Sequence, residues 1–323
     1  MAVKEANEMT FSDKRFSMIL YGSPGTGKST LALSAPDPVH IDFDRGVSRV
    51  KAQHRKTTIV CNTYEEVLED LKNPKVVSCQ TLIIDTGGSF ITFLQDWAMR
   101  DNPAVNKQKS GGISIKGFGA VKSEFNRFTG IVKEVMNKNV IYVFHSVEEK
   151  DKDGNPIQRL LCEGSARNNV WQPCDFGGFV QMIGNKRTVS FSPEQEFFAK
   201  GCHGIDGRRD IPTLKETNKN DFLTRLFDEA RNSITAEADA FVAIQEQYEA
   251  AMAAGRDIVA SIIDVDTANA AMPDIKAIEH AFTSEKEVGV LFNAKIKGLG
   301  LFYDRVLKAY TLPPPPEGAE GAK

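Results

Sequence analysis

Residues 21–30 read YGSPGTGKST, and within them Gly22, Gly27, Lys28 and Ser29 keep the spacing G-x-x-x-x-G-K-S. The run before them, RFSMILY (15–21), is apolar and of strand length, and STLALSA after them has helical spacing. A strand, a glycine-rich turn and a helix in this order form a phosphate-binding loop. Glycines at 22, 25 and 27 let successive amides turn inward, and the new helix adds its positive end. Ser23, Pro24, Thr26 and Thr30 complete the loop. Lys28 is expected at the β- and γ-phosphates of ATP, and the Ser29 hydroxyl on Mg²⁺.

The 323 residues allow one large domain with an appendage. Apolar content of 41% and charged content of 26% are those of a globular protein. No run approaches the length of a membrane span, and MAVKEANEMTFSDK (1–14) is polar rather than signal-like, so a cytoplasmic location is expected. Five cysteines without a C-x-x-C pair fit a reducing compartment. Cys162, Cys174 and the pair Cys202-His203 have no spacing that makes a closed zinc set.

Net charge is −3, which excludes a uniformly basic coat. From Arg231 onward there are 9 Lys and Arg against 14 Asp and Glu, a net of −5, while the preceding chain stands at +2. A nucleic-acid site must therefore be local and lie in the first part.

Alternation of short β-rich runs with helical patterns over the first two hundred residues predicts an α/β fold with a mainly parallel central sheet. VHIDFD (39–44), TTIVC (57–61), TLIIDT (81–86) and NVIYVFHS (139–146) read as strands. TYEEVLEDLKN opens on Thr63 with Glu66 three residues later, a capping box. Beyond Ser146, KDGNPIQRLL, GGFVQMIGNKRTVSF and EQEFFAK read as hairpin strands. From about Asn220 to Tyr310 the pattern is helical, and TLPPPPEGAEGAK reads as a disordered tail. The domains expected are an N-terminal segment 1–14, a core 15–219, a helical region 220–311 and a tail 312–323.

Three polar positions at strand ends carry further chemistry. Asp85 closes the buried strand TLIID, where a carboxylate would hold Mg²⁺ beside Ser29. Asp44 follows the strand HIDFD and is expected to orient the attacking water, with Asp42 as the second choice. His145 near the end of IYVFHS would face the ligand crevice and sense the γ-phosphate.

In this order, YGSPGTGKST, HIDFDRG, TLIIDT and VIYVFHSVEEKD resemble the RecA/Rad-type ATPase core over about Phe16 to Ile205. They look most like the phage-encoded, AAA-family nucleotide-binding proteins of single-strand annealing and recombination. The resemblance implies a RecA-like P-loop NTPase core with a helical C-terminal extension, ATP hydrolysis stimulated by DNA, and self-association into a filament or ring in the host cytoplasm. A single-strand-binding protein is a further implied partner. The family has glutamate where this chain has Asp44, one methylene shorter, and His145 matches the histidine of the phage branch. Lys200, in EFFAKG, matches the basic residue placed over a neighbour's γ-phosphate, with Arg208 and Arg209 behind it.

Single-stranded DNA is expected on two loops. NKQKSGGISIKGFGAVK supplies Lys107, Lys109, Lys116 and Lys122 with no acid, plus Phe118 as a stacking ring. The loop after His145 supplies Arg159 and Arg167. The alternatives are a small-molecule P-loop kinase, for which no arginine-rich lid is evident, and a nucleotide-gated module of the helicase-loader type.

Overall fold

The computed structural model describes residues 11, 13–162, 166–214 and 219–313. Most of the expected N-terminal segment, and the tail from 314 onward, lie outside them. Packing divides the chain into two compact units at Ile234/Thr235.

The first unit is built on strands β1 (Ser17–Gly22), β2 (Pro38–Asp42), β3 (Thr58–Ile59), β4 (Thr81–Asp85), β5 (Asn139–Lys150), β6 (Pro156–Leu160), β7 (Phe176–Ile183), β8 (Lys186–Ser190) and β9 (Arg208–Ile211). They form one sheet in the order β3-β2-β4-β5-β1-β7-β8-β9, with β6 attached to β5. From β3 to β7 every neighbour is parallel. The β5–β6, β7–β8 and β8–β9 pairs are antiparallel. The expected α/β class with a mainly parallel sheet is thus present.

Helices α1 (Lys28–Ala32), α2 (Tyr64–Asp70), α3 (Pro74–Ser78), α4 (Gly87–Asp101), α5 (Pro103–Asn106), α6 (Ile115–Gly130) and α7 (Ala166–Trp171) connect the strands. Successive side chains of a strand face opposite sides, and β1 uses both. Ile19 and Tyr21 join a core with Tyr64, Phe90, Leu94, Phe125 and Phe128 from α2, α4 and α6. Met18 and Leu20 join a second core with Leu31 of α1 and with Leu223, Leu226, Phe227 and Ala230. Burial on both faces explains why β1 and β4 are apolar without alternation.

Those last residues belong to α8 (Phe222–Ser261), a 40-residue helix. Its first turns are core residues of the sheet unit, so the division falls at Ile234 rather than at the expected Asn220. Three hydrogen bonds pin its start to Ser34, just past α1: Leu223 N to Ser34 Oγ (2.9 Å), and Thr224 Oγ1 (2.8 Å) and Thr224 N (3.1 Å) to the Ser34 carbonyl.

The second unit contains the rest of α8, α9 (Val265–Lys276), α10 (Ser284–Gly298) and the hairpin β10 (Phe302–Asp304)–β11 (Ala309–Thr311). Ile262, Ala268, Ala271, Phe292 and Ile296 are its core. The hairpin corrects the expectation of helix as far as Tyr310. Gly300 turns left-handed (φ 67°), and the Asn269 amide then holds Tyr310 at both backbone groups, at 2.7 and 3.0 Å. No described helix is long and apolar enough to cross a membrane.

Three further elements differ from the reading. β3 is two residues long at the sheet edge. EQEFFAK makes isolated bridges instead of a strand. β5 runs past Ser146 to Lys150 because β6 pairs with its extension, so His145 lies within a strand.

Candidate functional site

β1 ends at Gly22, where a Cβ would stand 2.0 Å from the Val180 carbonyl oxygen of β7; only glycine allows that approach. The chain then turns through Gly25 (φ 81°) and Gly27 (φ 84°), both left-handed, and α1 opens at Lys28. Thr26 Oγ1 donates to the Ser23 carbonyl at 2.9 Å and closes the curl. Lys28 is 5% exposed, and its Nζ donates to the carbonyls of Gly22 (2.9 Å) and Ser23 (2.8 Å). Burial pushes its pKa down to about 8, against the pull of Asp85.

The loop borders a cleft of about 760 Å³, to which Pro24, Gly25, Gly27, Lys28, Ser29 and Thr30 contribute. Asp44, Asp85 and His145 line the same cleft, so the parallel register gathers the expected residues at the carboxyl ends of β1, β2 and β4 and at the level of β5 beside them. Gly22 and His145 are register partners.

The two aspartates of HIDFD divide in role. Asp42 is buried at the end of β2 and accepts from the amides of Gly46 and Val47, both at 2.8 Å. It shapes the turn that carries Asp44 into the cleft. The Asp44 side chain is 23% exposed, with Arg49 Nη1 at 3.2 Å from its Oδ2. Asp85 is 4% exposed, and His40 Nε2 lies 3.3 Å from its Oδ2 without the alignment of a hydrogen bond. Burial, and then the Lys28 charge, hold His145 below the usual histidine range. Its Nδ1 is buried and has no hydrogen-bond partner among the described residues.

One hydroxyl (Ser29) and one carboxylate (Asp85) beside the phosphate loop fit Mg²⁺. That ion keeps several waters and takes its remaining oxygens from substrate phosphates. No metal cage of three or more His, Cys, Asp or Glu exists among the described residues.

Lys200 lies apart from this cleft. It bridges Gly177 near the start of β7, and its Nζ donates to the Cys174 carbonyl at 2.5 Å. Arg208 and Arg209 pair with Glu194 and Glu229.

The first expected DNA loop is more ordered than its glycines suggested. Lys107 bridges Ile113 across a tight turn, and Ser114 Oγ caps α6 by accepting from Gly117 N at 3.0 Å. A Cβ on Gly117 would lie 2.6 Å from the Asn106 carbonyl oxygen, so glycine there lets α6 dock on α5. Lys116, Phe118 and Lys122 consequently stand on a helix. All four lysines are exposed and unpaired among the described residues. Ile115 (89% exposed) and Phe118 (41%) share a helix face with Lys122. In the second loop, Arg159 stacks 4.0 Å over the Phe198 ring, whereas Arg167 makes a bidentate pair with Glu149.

Two arginines at the cleft had no local sequence signal. Arg49 reaches Asp44 from the turn after β2. Arg187, on β8, lies against Gly27, brought there by the pairing of β1 with β7.

A family model described as an AAA domain matches residues 14–203. No curated protein matches the sequence. Among solved structures, the flagellar accessory protein FlaH from Methanocaldococcus jannaschii aligns with a TM-score of 0.32 at 8% identity, over 54% of this chain and 76% of that chain.

Proposed function

The chain belongs to the AAA domain family, and from that premise we propose that it hydrolyses ATP with Mg²⁺ in this cleft, in response to single-stranded DNA, as a recombination or annealing ATPase. One observation carries the nucleotide part of the reading: the buried Lys28 amine, held on its own loop carbonyls, shares a cleft with Ser29, Asp44 and Asp85.

In this reading the loop amides and Lys28 bind the β- and γ-phosphates, and Ser29 and Asp85 hold Mg²⁺. The ion neutralises phosphate charge when bound with the nucleotide. Asp44 takes the proton of a water whose oxygen bonds to the γ-phosphorus as the bond to the bridging oxygen breaks. His145, kept neutral, lines the cleft and registers the γ-phosphate from there.

Lys200 lies outside its own cleft, so a nucleotide γ-phosphate that it meets belongs to a neighbouring copy in an oligomer. Support for DNA comes from the four exposed, unpaired lysines with Phe118 and Ile115 between them. Steady-state ATP hydrolysis with and without an oligonucleotide tests the proposal. Strong stimulation is expected. Hydrolysis indifferent to DNA removes the DNA part, and absence of hydrolysis removes the whole.

A further inference from the structure

We propose that Arg187 is a phosphate-binding residue, supplied to the nucleotide by the same chain that supplies the P-loop. The inference rests on the nucleotide reading above and adds a residue that the motifs did not reveal.

The placement begins with β7, which runs parallel to β1 with Phe179 beside Tyr21. Gly22 is therefore level with Val180, and β7 continues three residues further to Ile183. At ~3.3 Å per residue the β7–β8 hairpin overhangs the end of β1 by about 10 Å. Gly184 (φ 56°) and Asn185 make the turn, which fixes Met182 opposite Arg187. On its other edge β8 is held by β9, with Ile211 opposite Arg187. Arg187 thus sits on a strand paired on both sides, with Thr188 and Val189 buried next to it.

From there its guanidinium covers the P-loop. A Cβ at Gly27 would lie 3.1 Å from Nη1, 3.2 Å from Cζ and 3.4 Å from Nε. Three nearly equal distances mean that a face of the guanidinium lies against the glycine. Arg187 also lines two cavities: the 760 Å³ cleft and a neighbouring pocket of about 330 Å³ whose wall mixes Leu31, Ile211 and Phe222 with Lys219, Asp221 and Arg225. A ligand that occupied both would pass this guanidinium.

Charge makes the same point. Arg100, Arg127, Arg167, Arg208 and Arg209 are each paired with a carboxylate. The Arg187 side chain has no ion pair or hydrogen bond among the described residues, although Asp44 and Asp85 line the same cleft. A planar, permanently charged fork beside a phosphate loop is suited to bidentate contact with phosphate oxygens.

Affinities of wild type, Arg187→Ala and Arg187→Lys for ATP, ADP and adenosine test the inference, with thermal melts as the control for folding. Arg187→Ala is expected to weaken ATP about ten- to a hundredfold and leave adenosine unchanged, with partial recovery in Arg187→Lys. Unchanged ATP affinity, or an equal loss for adenosine, overturns it. Absence of ATP binding by the wild type would instead overturn the nucleotide reading beneath it. Mixing Arg187→Ala with Lys28→Ala chains tests whether the contact is within one chain. No recovery of hydrolysis is expected; recovery means that Arg187 serves a neighbouring copy and ends the same-chain assignment.

Discussion

Lys28 Nζ donates to the Gly22 carbonyl at 2.9 Å, so the P-loop folds back on its own cation. The Gly22 and Ser23 carbonyls stabilise an ammonium whose burial lowers its pKa to about 8. Lys28→Ala should therefore leave the fold standing, at a cost of no more than about 1–3 kcal/mol, and abolish ATP turnover. Circular dichroism with a coupled phosphate-release assay checks both halves. Wild-type turnover in a folded variant would sink the ATPase reading.

The P-loop is legible because its function is local: eight consecutive residues create the curl, the amides and the lysine. Asp44 and Asp85 are legible for a related reason, since strand ends of a parallel sheet share one edge, and His145 lies level with that edge within β5. Arg187 is not, because it reaches Gly27 through a strand pairing between residues about 160 positions apart. The β10–β11 hairpin is hidden likewise: its sequence has helical spacing, and Asn269, about 40 residues upstream, overrides it by holding Tyr310. The lysine segment misleads in the other direction. Its glycines read as slack, but Gly117 is a packing contact that helps α6 begin early.

Asp42 and Asp44 should separate in mutagenesis. Asp44→Asn keeps the shape of the side chain and loses its basicity, so nucleotide binding should persist while turnover falls by about 10²–10⁴-fold. Asp42→Ala leaves the Gly46 and Val47 amides without their acceptor and releases the turn. It should lower stability by about 1–3 kcal/mol as well as turnover. Binding isotherms beside denaturant melts distinguish them; a stable Asp42→Ala with normal turnover contradicts the assignment.

Asp175 gives the first unit a predictable acid sensitivity. Burial alone would raise its carboxyl, but the Ser17 amide and hydroxyl and the Lys133 ammonium outweigh burial and hold it below the usual range. A carboxyl depressed in the folded state stabilises above its unfolded pKa of about 3.9 and loses that contribution as pH falls through the folded value. Asp175→Asn should therefore be less stable than wild type at pH 7, with the difference shrinking below about pH 4. Melts across that range measure it, and a gap that widens in acid contradicts the argument.

The lysines around α6 carry the DNA proposal on a chain whose net charge is −3. Lys107, Lys109, Lys116 and Lys122 are exposed and unpaired among the described residues, so replacing them with Ala disturbs no packing. Each phosphate neutralised on a single strand adds about 0.7 to the slope of log affinity against log salt, so the quadruple variant should lose up to about 3 units of slope. Phe118→Ala should act differently. Stacking releases no counterions, so it should weaken binding by about 1–3 kcal/mol at nearly constant slope. Hydrolysis without DNA should survive both changes, because none of these residues lines the nucleotide cleft. Salt-titrated binding of a fluorescent oligonucleotide reads both quantities. Wild-type affinity and slope in the quadruple variant would remove single-stranded DNA from this surface.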